Sequence, residues 1–133
     1  MSILRSLLVL SLLLVSIAHA DTLTGRVVGS TDGDTITVLD ADRQQHKIRL
    51  QGIDAPEKKQ PFGEKSKENL SRLVFSKDVR VEWNKRDFRK RILGKVMVQP
   101  ADCPTCPMTL DAGQAQLAAE LANVAIQTPR VPV

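Results

Sequence analysis

The sequence predicts a mainly β domain with two helices, arranged as a five-stranded Greek-key barrel of the OB type. Three observations support this prediction. Short runs of alternating polar and apolar residues recur five times along the chain, an amphipathic helical pattern separates the third run from the fourth, and a second helical pattern follows the fifth. Five short strands with a helix inserted between the third and the fourth fit this small barrel.

The first three predicted strands form a meander joined by tight turns. Their bounds are Thr22 to Ser30, Thr35 to Leu39 and Lys47 to Leu50. The second strand alternates polar residues with β-branched apolar ones, which is the pattern of a strand with one buried face. In the third strand, Ile48 and Leu50 share the core face and Arg49 projects from the other, because side chains alternate along a strand.

A proline-containing loop and an amphipathic helix follow the meander. The loop runs from Asp54 to Pro61, since proline disfavours helical backbone in the residue before it. Beyond the loop, Leu70, Leu73 and Val74 recur at helical spacing between charged residues. This periodicity predicts a helix from Phe62 to Phe75 with one apolar face.

Two more strands and a second helix complete the predicted domain. Val79 to Trp83 and Ile92 to Gln99 alternate as strands, with a basic loop from Asn84 to Arg91 between them. Three prolines then mark an irregular insertion that holds both cysteines. We expect the last helix to begin with Thr109 as its N-cap. Its residues at helical spacing are Leu117, Leu121 and Ala125.

The first 20 residues have the pattern of a cleavable signal peptide. Arg5 gives a positive start, Leu7 to Ala18 form an apolar run, and Ala18-His19-Ala20 offers the small-x-small site that signal peptidase cuts. A retained membrane anchor is the alternative, but the apolar run is shorter than the roughly 20 residues that a spanning helix needs. We therefore expect cleavage after Ala20 and a periplasmic or secreted protein.

Cleavage would leave 113 residues, a length that suits one small domain. We place this domain at 21–126 and a disordered tail at 127–133. We expect a monomer with no protein partner and, once the leader is removed, no contact with a membrane.

Positive charge is concentrated in one part of the chain. From Lys77 to Lys95 there are eight Lys or Arg residues and three acidic ones, whereas the chain without its leader carries 18 basic and 15 acidic residues in total. A local cationic patch of this kind suits a polyanion such as nucleic acid. A solvated loop with no partner is the alternative.

The two cysteines, Cys103 and Cys106, would lie in a compartment where disulfides persist. Only His46 remains beside them after the leader is removed, which is too few ligands for a four-coordinate zinc site. We expect a disulfide that closes a small turn. A catalytic thiol pair is the alternative, but the βαβ surroundings of that redox motif are absent from the sequence.

Two acidic segments carry the candidate chemistry. Asp32-Gly33-Asp34 alone is a common hairpin turn, because glycine tolerates positive φ and Asp side chains cap nearby amides. The segment from Arg49 to Glu57 delivers an arginine from a strand end and two carboxylates across a proline-fixed loop. If the meander brings both segments to one rim, Asp34 and Asp54 can share a hard cation through oxygen.

Taken in order, four fragments of the chain resemble the signature of the staphylococcal nuclease (thermonuclease) family. They are Asp32-Gly33-Asp34-Thr35, Ile48-Arg49-Leu50, Asp54-Ala55-Pro56-Glu57 and Asp87-Phe88-Arg89-Lys90-Arg91-Ile92-Leu93-Gly94. The resemblance covers roughly Thr24 to Leu121. It implies an OB-type barrel with calcium-dependent phosphodiesterase activity on DNA and RNA.

The resemblance also implies a metal site. Asp34 and Asp54 would be calcium ligands, and the backbone carbonyl of Ala55 would be a third, so the lack of a side-chain hydroxyl at Ala55 need not matter. Asp32 would order water near the ion or hold the turn.

The same resemblance implies roles in catalysis and binding. Glu57 would be the general base or would position the attacking water. Arg49 and Arg91 would bind the phosphate and stabilise the charge that builds on it. A larger basic set would contact nucleic acid, namely Lys85, Arg86, Arg89 and Lys90.

Two departures from the family pattern bear on this site. The family usually has a Tyr-Gly pair where this chain has Arg89 and Lys90, and lysine lacks the freedom of glycine at a tight turn, so we expect Arg91 to be aimed differently. The chain has no Tyr, and Phe88 therefore either stacks a base or packs within its loop.

The second departure is at the C-terminus, where the family usually continues into an aromatic-rich segment and a third helix. This chain turns instead to Asn123–Pro129, which we interpret as a truncated or frameshifted C-terminus and a less stable scaffold.

Three functions compete at this point. The first is an exported, metal-dependent nuclease. The second is an OB-type module that binds single strands without cutting them, or cuts them weakly. The third is a periplasmic thiol protein, which rests on the cysteine pair alone.

Overall fold

A computed structural model of the chain describes residues 19–57 and 59–127. Most of the predicted leader 1–20, namely residues 1–18, and the predicted tail 127–133 beyond Gln127 lie outside the described residues. The strands are β1 (Asp21–Asp32), β2 (Thr35–Leu39), β3 (Gln45–Leu50), β4 (Asp78–Arg86), β5 (Ile92–Val98) and β6 (Leu110–Asp111). The helices are α1 (Gly63–Val74) and α2 (Ala112–Gln127). Among the described residues, none of the helices is both long and apolar enough to cross a membrane.

Strand β1 organises the barrel because it serves two partners. Its first half pairs antiparallel with β4, and its second half pairs antiparallel with β2. Two register shifts in the β1–β2 ladder, after Val27 and after Ser30, bend the strand between its partners. Parallel pairing of β3 with β5, with Ile48 opposite Ile92, closes the barrel, and β6 extends the sheet beyond β5. The predicted five-stranded OB-type barrel is confirmed.

Apolar side chains from every barrel strand fill the interior. Ile48 and Leu50 are buried, as the alternation in the third strand predicts. Leu70 and Val74 of α1 are also buried and Leu73 packs against the core, so the amphipathic helix predicted between the third and fourth strands is confirmed. The helix therefore covers one open side of the barrel with its apolar face.

Local sequence patterns misplaced two features of the fold. The predicted basic loop from Asn84 is shorter, because β4 continues to Arg86, which pairs with Ile92. The predicted N-cap of the second helix is wrong. Asp111, and not Thr109, caps α2, since its Oδ1 accepts the backbone N–H groups of Gly113 at 2.9 Å and Gln114 at 3.2 Å.

The connection between β5 and β6 holds the two cysteines. Cys103 and Cys106 form a disulfide. The side-chain amide of Gln99 donates to the carbonyl oxygens of Pro104 and Cys106, both at 2.7 Å, and so ties this turn to the end of β5. The turn is therefore fixed at two places.

Candidate active site

A cleft of about 200 Å³ opens at one rim of the barrel. Three connections meet there: the β1–β2 turn, the loop that follows β3, and the β4–β5 loop. Antiparallel pairing places Thr35 opposite Arg49, and parallel pairing places Arg49 opposite Leu93, so residues distant in sequence share this rim. The cleft is lined by Asp32, Asp34, Arg49, Asp54, Ala55, Glu57, Phe88, Arg89 and Arg91.

Asp34 is the buried acid of the cleft, with a side chain only 8% exposed. Its Oδ1 accepts the hydroxyl of Thr35 at 2.9 Å, and its Oδ2 accepts the backbone N–H of Ala55 at 3.3 Å. Its carbonyl oxygen accepts the N–H of Leu50 at 2.7 Å, and its own N–H donates to Asp32 Oδ1 at 3.3 Å. These contacts lock the β1–β2 turn to the loop after β3.

The charge of Asp34 is poorly compensated by its surroundings. Burial raises the pKa of Asp34 above its usual value, and the neighbouring Asp32 carboxyl raises it further, while the Thr35 and Ala55 donors lower it only in part. A cation in the cleft would relieve this penalty.

Asp54 differs from Asp34 in exposure. Its side chain is 93% exposed, and its Oδ1 lies 3.4 Å from Arg49 Nη2. Among residues 19–57 and 59–127, no three His, Cys, Asp or Glu side chains lie together as a group that could hold a metal ion. The donor types still fit a hard cation, because Asp34, Asp54 and the Ala55 carbonyl offer oxygen only.

Arg49 lies between the two candidate ligands. Its Nε is 3.8 Å from Asp34 Oδ2, its Nη2 is 3.4 Å from Asp54 Oδ1, and its side chain is 29% exposed. The guanidinium therefore lies within ion-pair distance of both carboxylates while part of it faces solvent. Arg49 can turn its remaining N–H groups to an anion that enters the cleft.

Arg91 reaches the same acid through a bridging hydroxyl. Its Nη1 donates to Thr35 Oγ1 at 3.2 Å, and that hydroxyl in turn donates to Asp34 Oδ1. Asp87 fixes the other edge of the guanidinium, with Nε to Oδ2 at 2.8 Å. The preceding Lys90 has a φ of 63°, so lysine here adopts the left-handed conformation that glycine would adopt freely. Arg91 consequently lies in the cleft despite the missing glycine.

Glu57 is an exposed acid on the cleft wall. Its backbone N–H donates to Gln60 Oε1 at 2.8 Å, and the Gln60 N–H donates to the Glu57 carbonyl, also at 2.8 Å. The backbone is therefore held while the carboxylate stays accessible to water.

The predicted nucleic-acid contacts divide into two groups. Arg89 lines the cleft and its guanidinium lies 5.4 Å from the ring centre of Phe88, which is 89% exposed. This exposure excludes packing of Phe88 inside its loop. Lys85, Arg86 and Lys90 are exposed but are not among the residues that line the cleft. They extend the positive surface beside it.

Sequence reasoning missed a polar network behind the cleft. Gln116 on α2 is fully buried and donates from Nε2 to the carbonyl of Gly33 at 2.9 Å. The Ser66 hydroxyl donates to Glu120, whose pKa is raised first by burial and then by the charges of Asp34 and Asp54. One sequence pattern could have indicated this network. Residues four apart share a helix face, and the buried Ala112 is followed at that spacing by two polar residues, Gln116 and Glu120.

Comparison with known proteins gives a consistent set of similarities. Residues 47–126 match a family model described as staphylococcal nuclease homologue. The chain is 45% identical over 99 residues to an uncharacterized endonuclease of Haemophilus influenzae, covering 71% of this chain and 56% of that protein. It is 37% identical over 114 residues to a micrococcal nuclease of Shigella flexneri, covering 86% and 60% respectively.

A relative of lower sequence identity is also named as a nuclease. The chain is 31% identical over 77 residues to a thermonuclease of Staphylococcus hyicus, covering 53% of this chain and 45% of that protein. In these three comparisons the chain spans only 45% to 60% of the length of the curated relatives that it matches.

Proposed function

The chain belongs to the staphylococcal nuclease family, and on that premise we propose that it hydrolyses phosphodiester bonds of DNA and RNA in a calcium-dependent reaction. One observation carries the proposal: two arginines from distant segments flank a single buried acid. Arg49 Nε lies 3.8 Å from Asp34 Oδ2, and Arg91 reaches Asp34 through the Thr35 hydroxyl. Two guanidinium groups beside a candidate cation ligand suit a phosphate anion, because each guanidinium can form bidentate hydrogen bonds with its oxygens.

Asp34, Asp54 and the carbonyl of Ala55 would hold the calcium ion. Calcium prefers six to eight oxygen ligands, so waters and phosphate oxygens would complete its shell. When bound, the ion would act as a Lewis acid on a phosphate oxygen. Asp34 supports this role because burial raises the pKa of its carboxyl group, and a bound cation would offset that penalty on the charged form.

Arg49 and Arg91 would hold the phosphate and stabilise the charge that develops on it. A planar guanidinium matches two phosphate oxygens, whereas an ammonium group offers a point charge. The fixed position of Arg91 means that little reorganisation is needed when the transition state forms. Arg49 would exchange its contact with the exposed Asp54 for one with the phosphate.

Glu57 would act on the attacking water. The oxygen of this water forms the new bond to phosphorus, and the water proton passes to the Glu57 carboxylate. The ester P–O bond opposite to the new bond breaks, and the leaving oxygen takes a proton from solvent and departs as a hydroxyl group. The accessible position of Glu57 on the cleft wall leaves room for that water.

Export is the second part of the proposal. It rests on the leader pattern of the first 20 residues and on Cys103 and Cys106, whose disulfide suits an oxidising compartment. Detection of the protein in the periplasm or the medium, with Asp21 as its first residue, would test this part. A protein recovered with Met1 in the cytoplasm would contradict it.

A binding module that does not cut is the second candidate function. The exposed Phe88 with Arg89 stacked on it favours this reading, because such a pair can hold an unstacked base without any chemistry. A single-stranded oligonucleotide would then bind with or without calcium and stay intact.

One assay separates the two candidates. Labelled single-stranded DNA is incubated with the chain lacking its leader, in calcium and in chelator. A nuclease cuts in calcium only, and Glu57→Gln lowers the rate roughly 100- to 10,000-fold without loss of binding. Equal cleavage by Glu57→Gln would contradict the proposed role of Glu57, and binding without any cleavage would favour the module.

A further inference from the structure

The amide of Gln116 occupies an unusual position for a polar group. Its side chain is fully buried on α2, and Nε2 lies 2.9 Å from the Gly33 carbonyl oxygen, 2.7 Å from the Ser66 carbonyl oxygen and 3.0 Å from Ser66 Oγ. Its Oε1 accepts the side-chain N–H of Asn69. One amide thus joins both helices to the β1–β2 turn.

Gly33 lies at the point where this network meets the cleft. It separates Asp32 from Asp34, and a Cβ on Gly33 would lie 1.8 Å from Ser66 Oγ and 2.8 Å from Ala55 Cβ. The turn is therefore in direct contact with α1 on one side and with the loop after β3 on the other. Any shift of Gly33 must move Asp34.

Apolar packing alone does not explain this arrangement. A buried amide costs desolvation free energy that an apolar side chain of the same size avoids, so packing alone does not require Gln116. The amide instead fixes the orientation of a neighbouring peptide group. It fixes the carbonyl of Gly33, and with it the peptide plane that carries the N–H of Asp34.

We infer that Gln116 is a positioning residue, which holds the Asp32-Gly33-Asp34 turn so that the Asp34 carboxylate faces the cleft. The inference rests on the proposed function, since it concerns the same cation site. It assigns part of the calcium affinity to a helix that does not itself line the cleft. Placement of a ligand within about 0.5 Å depends on such supporting hydrogen bonds.

The test uses Gln116→Met, which keeps size and helix propensity but removes the amide. Calcium affinity is measured without nucleic acid, by titration calorimetry and by the calcium-induced rise in melting temperature. We expect the dissociation constant for calcium to increase roughly five- to tenfold, because among the lost contacts the hydrogen bond to the Gly33 carbonyl is the one that holds the turn. Cleavage at saturating calcium should fall less than this.

Val98→Ala is the matched control. Val98 is a fully buried core residue of β5 that is absent from the lining of the cleft, so its truncation destabilises the barrel without touching the turn. Urea midpoints of the two variants show whether their destabilisation is comparable. The inference requires weaker calcium binding in Gln116→Met alone.

Each outcome decides between defined alternatives. Suppose that the parent cleaves DNA and that Gln116→Met, Val98→Ala and the parent all have the same dissociation constant for calcium. This result overturns the inference and leaves the proposed function intact. A parent that neither binds calcium nor cleaves DNA overturns both. If Gln116→Met does not fold, Asn69→Ala takes its place, because it removes the donor that holds Gln116 Oε1 and leaves the hydrogen bond between Ser66 and Glu120 intact. The expected loss is smaller, roughly two- to threefold, since the amide keeps its other contacts. No loss in Asn69→Ala would then overturn the inference.

Discussion

Asp87 holds Arg91 at two points, because its Oδ1 accepts the backbone N–H of Arg91 at 2.9 Å and its Oδ2 accepts Nε–H at 2.8 Å. The same Oδ1 accepts the N–H of Arg89 at 2.9 Å. The loop therefore closes around one carboxylate, and the guanidinium of Arg91 is aimed before any phosphate arrives. Such preorganisation lowers the reorganisation that catalysis requires.

Asp87→Asn should lower kcat roughly 10- to 100-fold, because an amide cannot accept at both positions and a small displacement of Arg91 is costly. Calcium affinity should stay constant, since the Asp87 carboxylate bonds to Arg89 and Arg91 and not to the candidate calcium ligands among the described residues. Single-turnover cleavage and calcium titration, measured on the same preparation, check this prediction. A parallel loss of calcium affinity would show that the effect is not confined to the arginine.

The stabilising effect of Asp87 should also depend on pH in a defined direction. Burial alone would raise the pKa of Asp87, but the hydrogen bonds and charge of Arg91, with the N–H of Arg89, hold it below its usual value. A lowered pKa in the folded state stabilises the fold above the pKa of the unfolded chain, and this stabilisation is lost as pH falls through the folded value. The difference in free energy of unfolding between parent and Asp87→Asn should therefore stay constant from neutral pH to about 5, and shrink below about 4. Urea unfolding across this pH range measures it.

Lys90→Gly should stabilise the protein. Lys90 has a φ of 63°, a left-handed conformation that costs free energy for every residue with a Cβ. Glycine removes this strain, but it also loses more conformational entropy on folding than lysine does. The difference should leave a gain of about 0.5 kcal/mol in the free energy of unfolding.

Arg43→Gly is the matched control for this substitution. Arg43 has a φ of 61° in the β2–β3 turn, so the same gain in urea unfolding is expected there, with no change in cleavage. Lys90→Gly also removes one positive charge beside the cleft, and its DNA binding should weaken most at low salt. A loss of stability in both variants would show that neither turn is strained.

The strands and the acidic set could be predicted from sequence because both depend on local patterns. Alternation located β2 correctly, since the structure has it at the predicted bounds Thr35 and Leu39. The single buried face that the alternation predicted is wrong, because Thr35 and Thr37 on the polar face are buried as well. The turn before β2 and the loop after β3 end on neighbouring strands. Their approach to one rim therefore follows once the meander is assumed.

The features that sequence reasoning missed depend on contacts between distant segments. Strand β6 has two residues, too few to show any alternation, and it forms only because Val98 offers a free edge to Leu110. Asp111 could be identified as the cap of α2 only after the start of that helix was known. The burial of Gln116 was the hardest feature to predict, because a glutamine on a helix is expected to face solvent unless the positions of its partners Gly33 and Ser66 are known.

Glu120→Gln should stabilise the protein at neutral pH and weaken calcium binding. Burial raises the pKa of Glu120 first, the charges of Asp34 and Asp54 raise it further, and the Ser66 hydroxyl opposes them in part. A raised carboxyl pKa in the folded state means that the folded chain loses stability as pH rises from the unfolded value through the folded one. Glutamine keeps an oxygen for the Ser66 hydroxyl and removes the charge.

The variant should therefore exceed the parent in stability above pH 7 and converge with it near pH 4, close to the pKa of an unperturbed glutamate. Loss of a carboxylate near Asp34 and Asp54 should also raise the calcium dissociation constant roughly two- to threefold at low salt, and less at high salt. Urea unfolding at the two pH values and calcium titration at two salt concentrations check both parts. A variant less stable than the parent at neutral pH would contradict the first part.

Phe88→Ala should weaken binding of single-stranded DNA without destabilising the fold. The ring is 89% exposed, so its truncation removes almost no buried area. Its position on the wall of the cleft, with the Arg89 guanidinium 5.4 Å from its centre, suits stacking with a base beside the phosphate site. One lost base stack corresponds to a roughly tenfold increase in the dissociation constant.

The measurement uses Glu57→Gln as the background, so that the DNA stays intact in calcium. Phe75→Ala is the matched control, because Phe75 is 53% exposed at the end of α1 beside Glu68 and Arg72 rather than in the cleft. Only the change at Phe88 should weaken single-strand binding, and duplex DNA, whose bases are already stacked, should respond less. An equal effect of both substitutions would mean that general hydrophobic contact, and not a stacking site beside Arg91, holds the strand.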